Sequence, residues 1–238
     1  MADAGADMSK VKFIQMPNET VWFIDYGPLP LVNVTDNTQS FLDWNYYHKR
    51  PVDDAISTKL AQLMGGNTYR MQFGYEGGNF QGDGKENCYT TQRALYWSGW
   101  SAEKMAQGLK DYANCQNLHV VKDITNDGTG HIDMFFKLFK EDQVIIGEYP
   151  DGIDATNKQN MDDNAEQMEA IALAGGKNMK VHRIVMPGLG LDGNGKVTNT
   201  PFTFINSTLI NGNNLYPDFS FESWADKRAL AKQQWQDA

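Results

Sequence analysis

Apolar positions along this chain follow two rhythms. Helical spacing predicts four helices: roughly Asp53 to Met64 after Pro51, Ala102 to Tyr112 with Ser101 as N-cap, Asp162 to Ala174 stopping at Gly175-Gly176, and Glu222 to Trp235. Short apolar or alternating runs predict strands at Val11–Ile14, Val21–Ile24, Tyr69–Phe73, Cys88–Thr91, His119–Val121, Ile132–Phe139, Val144–Tyr149, Lys180–Met186 and Phe202–Ile210. Turn signals separate them, among them Gly27-Pro28, Gly77-Gly78, Asp127-Gly128, Gly193–Gly195 and Asn211-Gly212. The predicted helices recur at intervals of roughly 60 residues, each with two or three strands, which reads as a ββαβ-like unit repeated about four times. Such units bury their apolar faces only against neighbours, so the spacing predicts α/β units set around an axis, a propeller-like plan.

Composition narrows the class. The chain has 238 residues, 41% apolar and 21% charged, enough to bury a core and with no linker that would divide it. Residues 1–10 read as an N-terminal tail and residues 11–238 as one domain. A run of ~18 apolar residues is absent, so no membrane-spanning segment is expected. The net charge of −9 disfavours nucleic acid and suits a cationic ligand. The opening seven residues lack the basic and apolar regions of a signal peptide, which leaves a cytoplasmic site and secretion after processing both open. Cys88 and Cys115 read as small buried side chains. His48, His119, His131 and His182 show no zinc-type spacing, so neither a metal nor a cofactor is expected. The stretch Asp192-Gly193-Asn194-Gly195 reads as a plain turn rather than a calcium loop.

Four segments place polar residues where a core has no need of them. Asp25 follows Trp22-Phe23-Ile24 and precedes Tyr26-Gly27-Pro28. Glu76 stands before Gly77-Gly78-Asn79-Phe80. His131 and Asp133, two apart at the head of a predicted strand, would project from one face. Asn206-Ser207 interrupts the apolar run Phe202–Ile210. Taken singly, each has a plainer reading: a turn, a solvated strand end, a turn exit, a local backbone partner. Taken together, Asp25, Glu76 and the His131/Asp133 pair fall about once per unit, and equivalent points of successive units would converge on the axis.

These segments resemble the bacterial agmatine deiminases and Porphyromonas-type peptidylarginine deiminases of the guanidine-modifying (pentein) superfamily. The matching residues are Trp22 with Asp25–Pro28, Glu76–Phe80 with Asp83-Gly84 and Thr90-Thr91, Gly130–Phe136, Gly147–Tyr149, and Asn206-Ser207 with Asn211-Gly212 and Pro217. The resemblance runs from about Val11 to the end and lies nearer the peptidylarginine branch. It implies a pentein-type β/α propeller and hydrolysis of a guanidinium group of peptidyl-arginine, arginine or agmatine. Asp25 and Asp133 would clamp the planar cation through paired hydrogen bonds. His131 would act as acid and then base, Glu76 would support its protonated form, and Asn206 would lie near the substrate. In the family a cysteine thiolate attacks the guanidinium carbon and forms a thiouronium intermediate.

The match departs from the family at two places. Ile24 stands where the family usually has an arginine. The family's nucleophile lies in a final Gly-rich turn with His-Cys, and neither Cys88 nor Cys115 matches that position. About four of the family's five units are therefore expected here, an incomplete copy of the fold. A second polypeptide or self-association would complete the ring, with Trp224 and Trp235 as anchors. A non-catalytic guanidinium-binding homologue is the alternative reading. Arg50, in His48-Lys49-Arg50, is placed to meet a substrate carboxylate or else to be a solvated turn residue.

Overall fold

Strands that pair in parallel need a crossover connection, and helices supply it three times in this chain. The computed structural model describes residues 7–173, 176–191 and 197–238. After the short helix α1 (Phe23–Tyr26), β1 (Leu29–Val32) pairs antiparallel with β2 (Gln39–Asn45). The chain then crosses over through α2 (Pro51–Asp54) and α3 (Ile56–Met64) to β3 (Asn67–Gly74), parallel to β2. The second sheet repeats this plan. Its β4 (Gln81–Gly82) is antiparallel to β5 (Asn87–Thr91), and α4 (Gln92–Ser98) and α5 (Ala102–Ala113) lead to the parallel β6 (Asn117–Val121). In the third, β7 (Phe136–Lys140) is antiparallel to β8 (Gln143–Glu148), and α6 (Ala155–Glu169) leads to the parallel β9 (Lys180–Val185). The ββαβ unit read from the sequence thus occurs three times. The fourth region is built differently, from two hairpins, β10 (Gly188–Leu191) with β11 (Val197–Phe202) and β12 (Thr208–Ile210) with β13 (Asn213–Leu215), followed by α7 (Ala225–Asp237).

Local chemistry sets the helix ends. Ser101 accepts from the Lys104 N–H at 3.3 Å and Asp154 from the Asn157 N–H at 2.9 Å, which caps α5 and α6. Gly65 ends α3 at φ 75°, a left-handed conformation that glycine adopts without a Cβ clash. The larger core packs β7, β8 and β9 against α6 and α7, with Val144, Ile145, Ile146 and Phe136 wholly buried. A second cluster joins the first two sheets and α5, and it holds both cysteines. Among the described residues no helix is long and apolar enough to cross a membrane.

Several sequence expectations need correction. Val11–Ile14 is irregular, and Val21–Ile24 leads into α1 instead of forming a strand, so Asp25 sits in a helical turn. The third helix begins at Ala155, not Asp162, and ends at Glu169. Ile132–Met134 is a 3-10 turn before β7, so a turn and not a strand pleat presents His131 and Asp133. The segment 203–207 is a loop between β11 and β12. Trp224 is buried and Trp235 donates from Nε1 to the Phe204 carbonyl at 3.0 Å. Both tryptophans therefore pack within their own region rather than offering themselves as anchors. The predicted turn at Asp192–Gly195 lies outside the described residues.

Candidate active site

Two glycines let three separate segments meet. A Cβ on Gly77 would lie 2.1 Å from the Ile24 carbonyl oxygen, and one on Gly78 would lie 2.5 Å from His131 Nδ1 and 2.7 Å from Asp25 Oδ1. Real Cβ atoms do not approach so closely, so the Gly-Gly pair after Glu76 lets α1 and the histidine loop close on one point. The Gly78 N–H donates to Asp25 Oδ1 at 3.2 Å.

His131 is presented by an Asx-type turn. Asp127 accepts from the Thr129 N–H at 3.1 Å and from the His131 N–H at 2.9 Å. Thr91, the N-cap of α4, donates to the Gly130 carbonyl at 2.8 Å, with Asn79 Oδ1 at 3.1 Å as the alternative acceptor. One hydroxyl thus ties the glutamate segment, the histidine loop and α4 together.

The imidazole lies between two carboxylates. His131 Nε2 is 3.0 Å from Glu76 Oε2, and Nδ1 is 3.6 Å from Asp25 Oδ1. Burial alone would lower the His131 pKa. The Glu76 hydrogen bond and the charges of Asp25 and Asp133 outweigh it and raise the group to about 9. Burial likewise opposes ionisation of Glu76, yet the bond to His131 holds that carboxyl below its ordinary value. Burial pushes Asp25 up to about 6 and Asp133 up to about 7. Among the described residues Asp133 Oδ1 has no hydrogen-bond partner, although the side chain is buried. A buried acceptor without a donor is costly, and a ligand carrying N–H groups would relieve that cost.

Asp25, Glu76 and His131 offer ligand atoms within 4.8 Å of one another, close enough to share a metal ion. Their wide sequence separation hides this from any reading of linear spacing. Both imidazole nitrogens already face carboxylates, so a metal would have to displace the proton that those carboxylates favour.

The other predicted residues lie at the margin. Arg50 donates from Nη1 to the Tyr46 hydroxyl at 2.7 Å, and its guanidinium lies 5.2 Å from the centre of the Tyr47 ring. Its charge is felt at both Asp25 and Glu76. Asn206 is exposed, with Nδ2 3.8 Å from Met134 Sδ, one residue beyond Asp133. The sequence reading missed Lys137, which donates to the Ser207 carbonyl at 2.6 Å and ties the 203–207 loop to β7 beside Asp133. A lysine within the apolar run Phe135–Phe139 was the available signal. Also missed was a cavity of about 580 Å³ against Glu76 and Asn79, walled by Tyr46, Tyr47, Trp97 and Thr129. Cys88 and Cys115 are buried in the second core cluster, away from this cavity. Contact with Cys115 and then burial push the Cys88 thiol far up, so it stays protonated.

The sequence profile of the Porphyromonas-type peptidyl-arginine deiminase family matches residues 1–235. The chain belongs to this family. An agmatine deiminase of Ectopseudomonas mendocina is 22% identical over 264 residues, covering 98% of this chain and 71% of that one. A Photobacterium profundum protein, provisionally named an agmatine deiminase, is 23% identical over 199 residues, 76% of this chain and 53% of its own length. In that alignment, and in one with a Vibrio parahaemolyticus relative at 54%, the chain spans about half of the curated protein. Among solved structures, the Enterococcus faecalis agmatine deiminase superposes with a TM-score of 0.79 at 22% identity, over 93% of this chain and 68% of that one. A Porphyromonas gingivalis structure, provisionally named an arginine deiminase, gives 0.78 at 19% identity, over 94% of this chain and 69% of that one. The deiminase family thus shares its α/β fold with this chain.

Proposed function

We propose that this chain carries the guanidinium-binding and proton-transfer part of a hydrolytic guanidine deiminase acting on agmatine, arginine or peptidyl-arginine. The observation that carries the reading is His131 held between Glu76 and Asp25, with the buried, unpartnered Asp133 oxygen alongside. A guanidinium presents N–H pairs to two sides, which suits carboxylates at Asp25 and Asp133. Near neutral pH the imidazole is protonated and ready to act as an acid.

In this mechanism a thiolate attacks the guanidinium carbon. His131 gives its proton to the departing ammonia, which leaves a thiouronium. The now neutral His131 takes a proton from water as it attacks the same carbon. The carbon–sulfur bond breaks, the thiolate is regenerated, the remaining hydroxyl proton passes to solvent and a neutral ureido product departs. Neither Cys88 nor Cys115 suits the nucleophile's part, since both are buried outside the cavity. We assign that thiolate to a segment or a second chain beyond these 238 residues. Arg50 and Asn206 are assigned to the rest of the substrate, with Arg50 facing a carboxylate where there is one. The burial of both thiols also favours a second reading, a guanidinium-binding homologue without turnover.

Ammonia release tests the proposal. Residues 1–238 alone should release none from agmatine or arginine, because a guanidinium carbon is a poor electrophile for water alone. With the thiol-bearing segment supplied, turnover should appear. His131→Ala and Asp133→Asn should each then abolish it and leave circular dichroism unchanged. Substantial turnover in both variants would remove these residues from the mechanism.

A further inference from the structure

The short helix that carries Asp25 has little of its own to hold it in place. Its buried side chains are Asp25 and Tyr26, while Val21, Trp22, Phe23 and Ile24 are 80%, 55%, 51% and 62% exposed. A single helical turn is unstable by itself, and these neighbours contribute little packing. Yet Asp25 must keep a carboxylate oxygen 3.2 Å from the Gly78 nitrogen and 3.6 Å from His131 Nδ1.

Tyr26 packs against Tyr46 and Ile56, and polar contacts from α2 and α3 supply the rest of the anchorage. Asp53, wholly buried, accepts through Oδ1 from the Glu19 N–H at 2.6 Å and the Thr20 N–H at 3.3 Å. Its Oδ2 accepts from the Thr20 hydroxyl at 2.7 Å. Glu19 reaches back the other way: its Oε2 accepts from the Val52 N–H at 2.9 Å and lies 3.5 Å from the Asp53 nitrogen. The strap so held grips α1 directly, because the Tyr26 hydroxyl donates to the Thr20 carbonyl at 2.7 Å. Ser57 closes the circuit by donating from Oγ to the Tyr26 carbonyl at 2.6 Å. Every link leads to the residue next to Asp25, and none of these side chains belongs to the Asp25–Glu76–His131 cluster.

We infer that Glu19, Thr20 and Asp53 form a reciprocal clasp whose work is to position Asp25 against His131. The geometry stands independently of the guanidine reading, whereas the consequence for ligand affinity rests on it. Asp53 and its partners are positioning residues: they act through Tyr26 and touch no substrate.

Hydrogen exchange on the full chain, paired with agmatine titration by calorimetry, tests the clasp. Thr20→Val keeps the shape and removes the hydroxyl, Asp53→Asn removes an acceptor charge, and Thr20→Ser keeps the hydroxyl as the conservative control. In the native chain the Asp25 and Gly27 amides donate to the Trp22 and Phe23 carbonyls at 3.0 and 2.7 Å. In Thr20→Val and Asp53→Asn these two amides should exchange about five- to tenfold faster while the β2–β3 amides keep their native rates. Agmatine affinity should fall about as much, with a melting temperature lowered by only a few degrees, and Thr20→Ser should restore all three readouts. Native exchange at Asp25 and Gly27 in both variants would overturn the inference. So would acceleration shared equally by β2–β3, or faster exchange with agmatine affinity intact. If the native chain binds neither agmatine, arginine nor an arginine peptide while the exchange responds as stated, the clasp stands and the guanidine reading fails.

Discussion

Gly78 leaves no room for a side chain, and this sets how tightly the cluster can close. A methyl there would press on His131 Nδ1 and Asp25 Oδ1 together, and both side chains are buried. Gly78→Ala should therefore part the two groups and cost about 1–3 kcal/mol of stability. It should also remove guanidinium binding, and a variant that bound agmatine as the native chain does would contradict this packing. The same closeness sets the pH behaviour. Asp25 and Asp133 ionise near 6 and 7, and His131 loses its proton near 9. On the proposed reading the clamp needs both carboxylates charged and the first proton transfer needs the imidazolium. In the thiol-supplied enzyme kcat/KM should rise through pH 6–7 and fall near pH 9. Stability carries the same signature. All three groups hold protons more firmly folded than unfolded, so their joint contribution is greatest at low pH and declines as pH rises through these values. His131 supplies stability that is complete below its ordinary 6.5 and lost through about 9, while the burial penalty on the two aspartates grows from about 4 to 7. Glu76 acts oppositely, since its lowered pKa gives stability that is lost on acidification. Asp133→Asn should consequently gain on the native chain as pH rises from 5 to 8, read from urea midpoints. An advantage that shrinks over that range would contradict the buried-charge account.

At the scale of elements, Thr91 is where strand, helix and the His131 loop meet. Its hydroxyl accepts from the Ala94 N–H at 3.2 Å as the α4 cap and donates to the Gly130 carbonyl beside His131. Thr91→Val should cost about 1–2 kcal/mol, and Thr91→Ser much less. Equal urea midpoints for the two variants would show that the hydroxyl does not bear this load. Elements whose pattern agrees with their surroundings were readable in advance: β8 is an apolar run that is buried, and α5 has buried Met105 and Leu109 one turn apart and a serine cap. Helix α6 was misplaced because its inner face carries asparagines. Asn164 bonds both backbone groups of Lys122, and Asn157 accepts from the Thr125 N–H, so polar residues stand where an amphipathic pattern requires apolar ones. Strand β2 was missed for a similar reason, since Asp43 lies buried within it, bonded to Thr58 and Arg70. The segment Val21–Ile24 read as a strand because it is apolar, yet those side chains face outward and the polar clasp fixes the turn that follows. Asp25, Glu76, His131 and Asp133 were legible because each breaks an apolar run beside a glycine or a turn. The tyrosine–tryptophan cavity became visible only when separate units were brought together.

Across the whole molecule, charge and architecture point the same way. An acidic chain with net charge −9 draws a cation toward a cluster built from three successive units, while the bulk of the apolar surface is buried under the third sheet. The central claim is that Asp25 and Asp133, arranged about the His131–Glu76 pair, form a guanidinium clamp. Calorimetric titration of residues 1–238 with agmatine, arginine and an arginine peptide, from pH 6 to 8, addresses it without requiring turnover. The account predicts saturable binding that strengthens across this range as the two carboxyls ionise and disappears in Asp133→Asn. Binding that is absent, or that is indifferent both to pH and to Asp133→Asn, would contradict it.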